Sequence, residues 1–349
     1  MEIKETNKNM NILAIESSCD ETSAAVIRDG TKILSNVIAT SSAMHEKYGG
    51  IVPEVASREQ LKCILPVITE ALQEAHQNYS SIDAVAVTVG PGLIGSLLIG
   101  VEAAKTIAYV TKKPIIPVNH VLAHLYANFL VSNQTITFPA IGLVVSGGHT
   151  ELFLMKNKKE LQWLGGTIDD AAGEAFDKAA RLLGFGSRGG LAIQETVSRS
   201  EILLRRTRKK SNIKLPRPLL HDNTLNFSFS GLKTAILREV TKQKELPGFD
   251  EKIIGELAYE VQESITDVLV TKTLQAAEQY GAQSICIGGG VAANLRLREK
   301  FQNSDVPFFC PPVSLCTDNA AYIGSYAYFR GEPVDWHTIE AIPDLSVEV

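Results

Sequence analysis

Two histidines four residues apart, His120 and His124 in the stretch VNHVLAHLYA, are the side chains of this sequence best suited to chemistry. On an amphipathic helix that spacing stacks both imidazoles on one face. Two neutral imidazole nitrogens one turn apart are half of a site for a divalent ion of the zinc or iron type. Val121 narrows the chemistry. In the HExxH pattern of zinc peptidases the first histidine is followed by the glutamate that activates water, and a valine has no acid–base function. The pair thus has two readings: a metal site lacking that peptidase base, or surface and capping residues at a helix start.

Carboxylates gather at turns. Asp20 and Glu21 lie in SSCDET, Asp169, Asp170, Glu174 and Asp177 in TIDDAAGEAFDKAARLLG, and Asp318 in PPVSLCTDNAA. Asp170, Glu174 and Asp177 follow helical spacing beside Lys178 and Arg181, the pattern of a solvated, salt-bridged face, and Asp169 is read with them. Asp318 stands at a helix start, either as a cap or, with Thr317 capping, as a free carboxylate. Three glycine clusters, VSGGHT, GPGLIGS and GGGVAANLRLRE, follow strands and let backbone N–H groups approach an anion, although each also reads as a tight turn. None matches G-x-G-x-x-G or a Walker loop, which argues against a Rossmann or P-loop nucleotide site. The run RRTRKKSNIKLPRP holds Arg205, Arg206, Arg208, Lys209, Lys210, Lys214 and Arg217 without an acid, and is either a solvated loop or a footprint for a phosphate backbone.

The elements that must position these groups repeat one scheme. Strands are expected at 11–16, 24–28 and near 32–39, and again at 140–145, 151–155 and near 161–165, each set opening on a polar or glycine-rich turn. Helical segments follow at 57–75 and 96–110 in the first half, and at 170–183, 231–242 and 253–279 in the second. Strands alternating with helices imply α/β layers. Two halves built alike, each a strand, a turn and a strand, are how the actin, sugar kinase and heat-shock ATPase superfamily is constructed, with the two turns facing across a cleft. The 349 residues favour two domains. A net charge of -5 confines any nucleic-acid contact to a local patch. Five cysteines with no zinc-type spacing read as reduced thiols. The first ten residues lack the apolar core of a secretory signal, and the apolar stretch 84–101 is broken by Gly90, Pro91, Gly92 and Gly95, so no membrane span is expected there.

Nine ordered blocks carry a resemblance that covers the chain from about Asn11 to Arg330: ILAIESSCDETSAAV, HEKYGGIVPEVASREQ, VTVGPGLIGSLLIG, VNHVLAHLYA, VVSGGHTEL, IDDAAGEAFDKAARLLG, FSFSGLKTA, IGGGVAANLRLRE and CTDNAAYIG. In these blocks the sequence resembles the TsaD (Gcp) family of tRNA adenosine threonylcarbamoyltransferases. The resemblance implies the two-lobed actin-like (ASKHA) fold, with duplicated RNase H-like domains and a central cleft. It also implies transfer of threonylcarbamoyl from threonylcarbamoyl-AMP to the exocyclic amine of adenosine 37 in tRNAs reading ANN codons. By the same resemblance His120, His124 and Asp318 hold one divalent metal, iron(II) or alternatively zinc. Val144, Val145, Ser146, Gly147 and Gly148, with Asp177, Gly190 and Asn294, grip the donor. Val144 stands where archaeal and eukaryotic members have a tyrosine, which sides the chain with the bacterial type, and Leu191 replaces a common proline.

A mechanism follows for such a site. The metal acts as a Lewis acid, the Ser146–Gly148 turn steadies developing charge, and Asp20 or Glu21 takes the amine proton. Arg205, Arg206, Arg208, Lys209 and Lys210 are the expected tRNA contacts. Family partners are a TsaB-like paralogue on the N-terminal lobe and a TsaE-like ATPase, and the expected location is cytoplasmic. The expected layout is an N-terminal extension at 1–10, taken as disordered, an N-terminal lobe at 11–119 and a C-terminal lobe at 120–318 carrying metal and donor motifs. A returning helix and tail at 319–349 completes it. Two other classes compete: a metal-dependent glycoprotein endopeptidase, and an ATP-binding switch or chaperone of the same fold.

Overall fold

All six residues of NILAIE, Asn11–Glu16, are buried, as a strand covered on both faces requires. This strand, β1, pairs antiparallel with β2 (Glu21–Arg28) and parallel with β4 (Ala84–Gly90). With β3 (Lys32–Thr40) and β5 (Ile115–Asn119) outside them, the sheet order is β3-β2-β1-β4-β5. The structure, a computed structural model, describes residues 9–45, 48, 50–131, 135–185, 189–207, 213–246 and 249–349.

Two compact units divide the chain, Met1–Gln134 with Thr317–Val347, and Thr135–Cys316 with Glu348–Val349. In unit 1 the helices α2 (Pro53–Glu74) and α3 (Ile94–Thr111) cover one face of the sheet, joining Leu13, Ile15 and Val26 in one core with Ile64, Ile68, Val101 and Ala104. A short helix, α1 (Ser42–His45), precedes α2. By length and mean hydropathy (1.3 over 18 residues) α3 also meets the requirement for a membrane span. Its buried side, from Ser96 to Ala108, packs on β4 and α2. Helix α10 (Ala320–Phe329) lies on the opposite face, where a Cβ at Gly324 would come within 2.6 Å of the Ile27 side chain.

Unit 2 repeats the plan. Strand β6 (Ala140–Val145) pairs antiparallel with β7 (Thr150–Met155) and parallel with β9 (Ser284–Gly288). Outer strands β8 (Leu161–Gly166) and β10 (Phe308–Phe309) give β10-β9-β6-β7-β8, the unit 1 order with each strand replaced by its counterpart. The doubled construction expected from the two hairpins is therefore present strand for strand. Helices α5 (Ala172–Leu182), α6 (Gly189–Thr207), α7 (Ser230–Glu245), α8 (Glu251–Gln279) and α9 (Leu295–Gln302) supply the rest of its core.

Two expectations shift. Strand β2 begins at Glu21 rather than 24, because Glu21, Thr22 and Ser23 stay in register with Thr40, Ala39 and Ile38, a pairing their polar side chains hide. The units divide at 134/135 and 316/317 rather than at 119/120 and 318/319. The segment from His120 to Leu130 stays with unit 1 because it packs on α10, with Tyr126 5.0 Å from Tyr326 and 6.4 Å from Phe329 between ring centroids. His120, His124 and Asp318 thus belong to unit 1, not to the second lobe. Residues 1–8 of the expected extension lie outside the described residues.

Candidate functional site

Strand β5 ends at Asn119, whose side-chain oxygen accepts the N–H groups of Val121 (3.0 Å) and Leu122 (3.2 Å) and so opens a single helical turn, α4 (His120–Ala123). From His124 to Leu130 the chain continues as a 3₁₀ helix. The amphipathic helix expected here is absent, since residues 118–128 are all buried, held between the sheet and α10. Neither histidine is a surface residue: His120 is 7% and His124 1% exposed. Their rings meet edge to face with centroids 4.8 Å apart.

Asp318 completes the set. Its Oδ1 lies 3.6 Å from Nε2 of both histidines. Asn319, not Asp318, caps α10, accepting the Ala321 N–H at 3.0 Å, which leaves the Asp318 carboxylate free of that duty. Among the described residues these three form the cluster of metal-ligating side chains, with one ligand atom from each within 4.8 Å of the others. Ligand bonds of about 2.0–2.2 Å separate neighbouring ligands on a tetrahedral ion by about 3.4 Å. Two imidazoles and a carboxylate at this spacing fit a first-row divalent ion.

Glu16 was not among the sequence candidates. It ends β1 1% exposed, with Oε1 accepting the Ser18 N–H at 2.6 Å and Oε2 accepting the Thr88 hydroxyl and facing His120 Nδ1 at 3.2 Å. A carboxylate on the far nitrogen fixes the imidazole tautomer and leaves Nε2 for a metal. The signal in the sequence was an ionisable residue closing an otherwise apolar strand.

Burial and charge act against each other throughout. Burial pushes His120 down, but Glu16 and Asp318 together raise it to about 9. Burial pushes Glu16 up, and the charge of His120 with hydrogen bonds from His120, Ser18 and Thr88 brings it below the ordinary carboxylate value. Asp318 is raised, chiefly by burial and then by Glu16 and Asp20, against the opposing charge of His120. Glu21 is raised to about 10 by burial and by Asp318 and Asp20. Four acids crowding one point, Glu16, Asp20, Glu21 and Asp318, are an environment that a bound cation relieves.

Unit 2 contains a cavity of about 490 Å³, lined by Gly147, Asp177, Gly190 and Asn294 of the expected donor set and, beyond it, by Phe176, Gln194 and Val313. Glycines let its walls close up. A Cβ at Gly173 would sit 2.4 Å from the Ser146 carbonyl, one at Gly189 2.4 Å from Asp177 Cα, and one at Gly289, where φ is +92°, 2.3 Å from the Val145 carbonyl. Asp177 accepts the Gly189 N–H at 3.0 Å and Asn294 caps α9 through Leu297 N–H at 3.0 Å while donating to Gln262 at 3.2 Å. Val144 and Val145 are fully buried in β6, so any role they have passes through the backbone. Ser146 and Gly148 stand in the turn after β6, the Ser146 hydroxyl accepting the His149 N–H. Gln194 escaped the sequence reading because a glutamine within a helix has no motif; it caps α9 by accepting the Leu295 N–H at 2.8 Å.

Other candidates take different roles. Asp169 is not part of a salt-bridged face. It accepts four hydrogen bonds, from the Ser228 and Ser230 hydroxyls and the Phe229 and Ser230 N–H groups, and so caps α7 from outside. Asp170 and Glu174 do pair with Lys178, each at 2.7 Å. Of the basic run, Arg217 is consumed internally by Glu260 and Asp267, and Lys214 is exposed. Arg205 and Arg206 fall in α6, but their side chains, like Arg208, Lys209 and Lys210 altogether, lie outside the described residues.

A model of the TsaD family, tRNA N6-adenosine threonylcarbamoyltransferase, matches residues 32–325. The chain is 46% identical over 351 residues to the tRNA N6-adenosine threonylcarbamoyltransferase of Moorella thermoacetica, with 99% of each covered. It is 47% identical over 346 residues to that of Thermomicrobium roseum, with 93% of this chain and 92% of the relative covered. Among solved structures it is similar to component A of the Acidaminococcus fermentans (R)-2-hydroxyglutaryl-CoA dehydratase, with a TM-score of 0.52, 16% identity, and 92% and 96% of the two chains covered. HypF of T. kodakarensis is similar with a TM-score of 0.57 and 11% identity over 92% of this chain and 48% of that one. These two likenesses concern the fold alone and agree with the ASKHA plan.

Proposed function

We propose a metal-assisted transfer for this chain, which belongs to the TsaD family of tRNA N6-adenosine threonylcarbamoyltransferases and shares their activity as a transferase. The donor in this reading is threonylcarbamoyl-AMP and the acceptor is adenosine 37 of tRNAs reading ANN codons. The observation that carries it is the convergence of His120, His124 and Asp318 with Glu16 behind His120. Those three side chains would hold iron(II), or zinc in its place, which when bound would supply Lewis acidity.

The chain's own groups do the rest. Bond formation between the adenosine amine and the carbamoyl carbon breaks the bond from that carbon to the phosphate oxygen, so AMP leaves and one amine proton must be removed. The 490 Å³ cavity is of ligand-binding size and is given to the adenylate, and the Ser146–Gly148 turn, whose Gly147 lines it, is assigned to steady developing negative charge. Glu16 keeps the Nδ1 proton of His120 in place. Of the two turn acids Asp20 is taken as the base, since burial and the neighbouring Asp318 and Asp20 hold Glu21 above the ordinary carboxylate value. No acid stands beside His120 in sequence: Val121 is fully buried. That counts against the endopeptidase alternative.

Arg205, Arg206, Arg208, Lys209 and Lys210 are proposed as phosphate contacts of an anticodon loop whose target base is unstacked. A TsaB-like paralogue is assigned to the outer faces of α2 and α3. There Leu61 and Leu65 are 65% and 63% exposed, with Ile94 and Leu98 also at the surface. A TsaE-like ATPase is the further partner. All five cysteines are free thiols, which supports work in the cytoplasm.

The test is reconstitution with threonylcarbamoyl-AMP, tRNA and partners, read by mass spectrometry of tRNA nucleosides. Modified adenosine is expected with the metal-loaded protein and not with the stripped protein or His120→Ala. Full transfer by stripped protein would end the metal-assisted reading.

A further inference from the structure

The block HEKYGGIVPEVASREQ has so far been given no task, and two of its side chains, His45 and Gln60, are buried polar groups at 3% and 1% exposure. Gln60 sits on the inner face of α2 among Ala56, Ile64 and Val67, all apolar. Its side-chain amide donates to the carbonyls of Cys19 at 2.9 Å and Glu21 at 3.0 Å, with Ser17 at 3.5 Å. The carbonyl between them, that of Asp20, accepts both the N–H (3.1 Å) and the hydroxyl (3.0 Å) of Ser41. Ser96 adds a hydroxyl to Cys19 at 3.0 Å, and Leu93 an N–H to Ser18 at 2.8 Å. Every carbonyl from Ser17 to Glu21 is thus gripped from outside the turn.

His45 carries this grip back to α2. Its Nδ1 accepts the N–H of Val52, the residue that opens α2, at 3.2 Å, so the ring proton resides on Nε2. Nε2–H then donates to the Ser41 hydroxyl at 3.1 Å, and that hydroxyl donates onward to the Asp20 carbonyl. The chain runs in one direction and is satisfied with a neutral His45 in that tautomer. The acid turn is therefore tied to α2 at two points, through His45 of α1, which accepts the N–H at the start of α2, and through Gln60 two turns in.

We infer that Gln60 and His45 are positioning residues for the transfer reaction, fixing Asp20 and Glu21 from α2 without touching substrate. The inference rests on the reading above that this turn supplies the base. Buried amides that orient a reacting group act on the rate rather than on substrate affinity, and their loss costs about 10–100-fold.

The experiment uses the full chain with its partners. Gln60→Met keeps the bulk and removes both donors. His45→Gln keeps a donor toward Ser41, whereas His45→Asn keeps only an acceptor for Val52. Expected is a fall in kcat of about 10–100-fold for Gln60→Met with metal content and the KM for threonylcarbamoyl-AMP unchanged, and more activity in His45→Gln than in His45→Asn. A kcat within about twofold of the parent, a loss confined to KM, or the reverse order of the His45 variants would overturn the inference, since closing the loop for stability alone favours the Val52 contact. Asp20→Asn and Glu21→Gln are run alongside. If Asp20→Asn is inactive while Gln60→Met is active, the positioning role fails and the base assignment stands. If Asp20→Asn and Glu21→Gln both keep parental rates, the base assignment fails and takes this inference with it.

Discussion

Replacing Glu16 by Gln changes one atom type behind the proposed metal ligands and has a calculable consequence. In the parent, Oε1 accepts from Ser18 N–H while Oε2 takes the Thr88 hydroxyl and faces His120 Nδ1, so both oxygens are acceptors. A glutamine can place its oxygen toward Ser18 and its NH₂ toward His120, which draws the imidazole lone pair to Nδ1 and puts the proton on Nε2, the atom that faces Asp318. To offer Nε2 to a metal, the ring must then set its Nδ1–H beside the amide NH₂, with the Ser18 hydroxyl at 3.3 Å as its remaining acceptor, or the amide must flip and set donor against donor at Ser18. Either weakens the pairing of a buried donor, at up to about 1–3 kcal/mol, which is at most about one to two orders of magnitude in metal affinity.

The pH dependence sharpens the test. The parent His120, raised to about 9, must release a proton when metal binds at neutral pH, so parental affinity rises about tenfold per pH unit from 7 to 9 and then levels. Without the Glu16 charge His120 keeps only Asp318 to hold it up, so the variant curve levels at lower pH than the parent's, and the gap between the two is widest near pH 9. Competition titration of zinc against a chelator at several pH values measures both slopes, and ¹⁵N shifts of labelled histidine report the tautomer. Parallel slopes, or equal affinity at pH 9, would refute the reasoning.

Three further outcomes are expected. Leu61→Asp with Leu65→Asp, on an exposed face of α2, abolishes co-elution with a TsaB-like paralogue while leaving the Tm of the isolated chain within a degree or two, as surface changes do. Gly189→Ala pushes a Cβ to 2.4 Å from Asp177 Cα; it costs about 1–3 kcal/mol in denaturant unfolding and weakens AMP binding measured by calorimetry. Asp169→Ala removes the external cap of α7 and lowers stability by about 0.5–2 kcal/mol. Asp169 is held below the ordinary carboxylate value, with hydrogen bonds from Ser228, Phe229 and Ser230 outweighing its slight burial. Its contribution is therefore complete above the ordinary range and is lost as pH falls through the lowered value, so unfolding curves of parent and variant converge in acid.

Local features were legible from the residues alone. The buried run NILAIE, the hairpin turns, the helical stretches of both halves and the doubled order of elements all depend on neighbours within a few positions, and period and turn chemistry report those neighbours directly. The nine blocks likewise carried the family. Misreadings arose where a local pattern had two physical outcomes. Asp169 had the spacing of a solvated face and became a cap because Ser228, about sixty residues on, returns to it. VNHVLAHLYA had the spacing of a surface helix and is buried on all sides because α10 covers it.

The sequence by itself determined that His120 and His124 would sit close together, since one turn of helix accomplishes that. Only the tertiary structure decided which part of the chain returns to meet the pair, and which acid holds its tautomer. Glu16 reaches His120 across 104 positions and Asp318 arrives only with α10, so both contacts exist through sheet pairing and helix packing, and packing partners at that separation leave no periodic mark on the sequence around them.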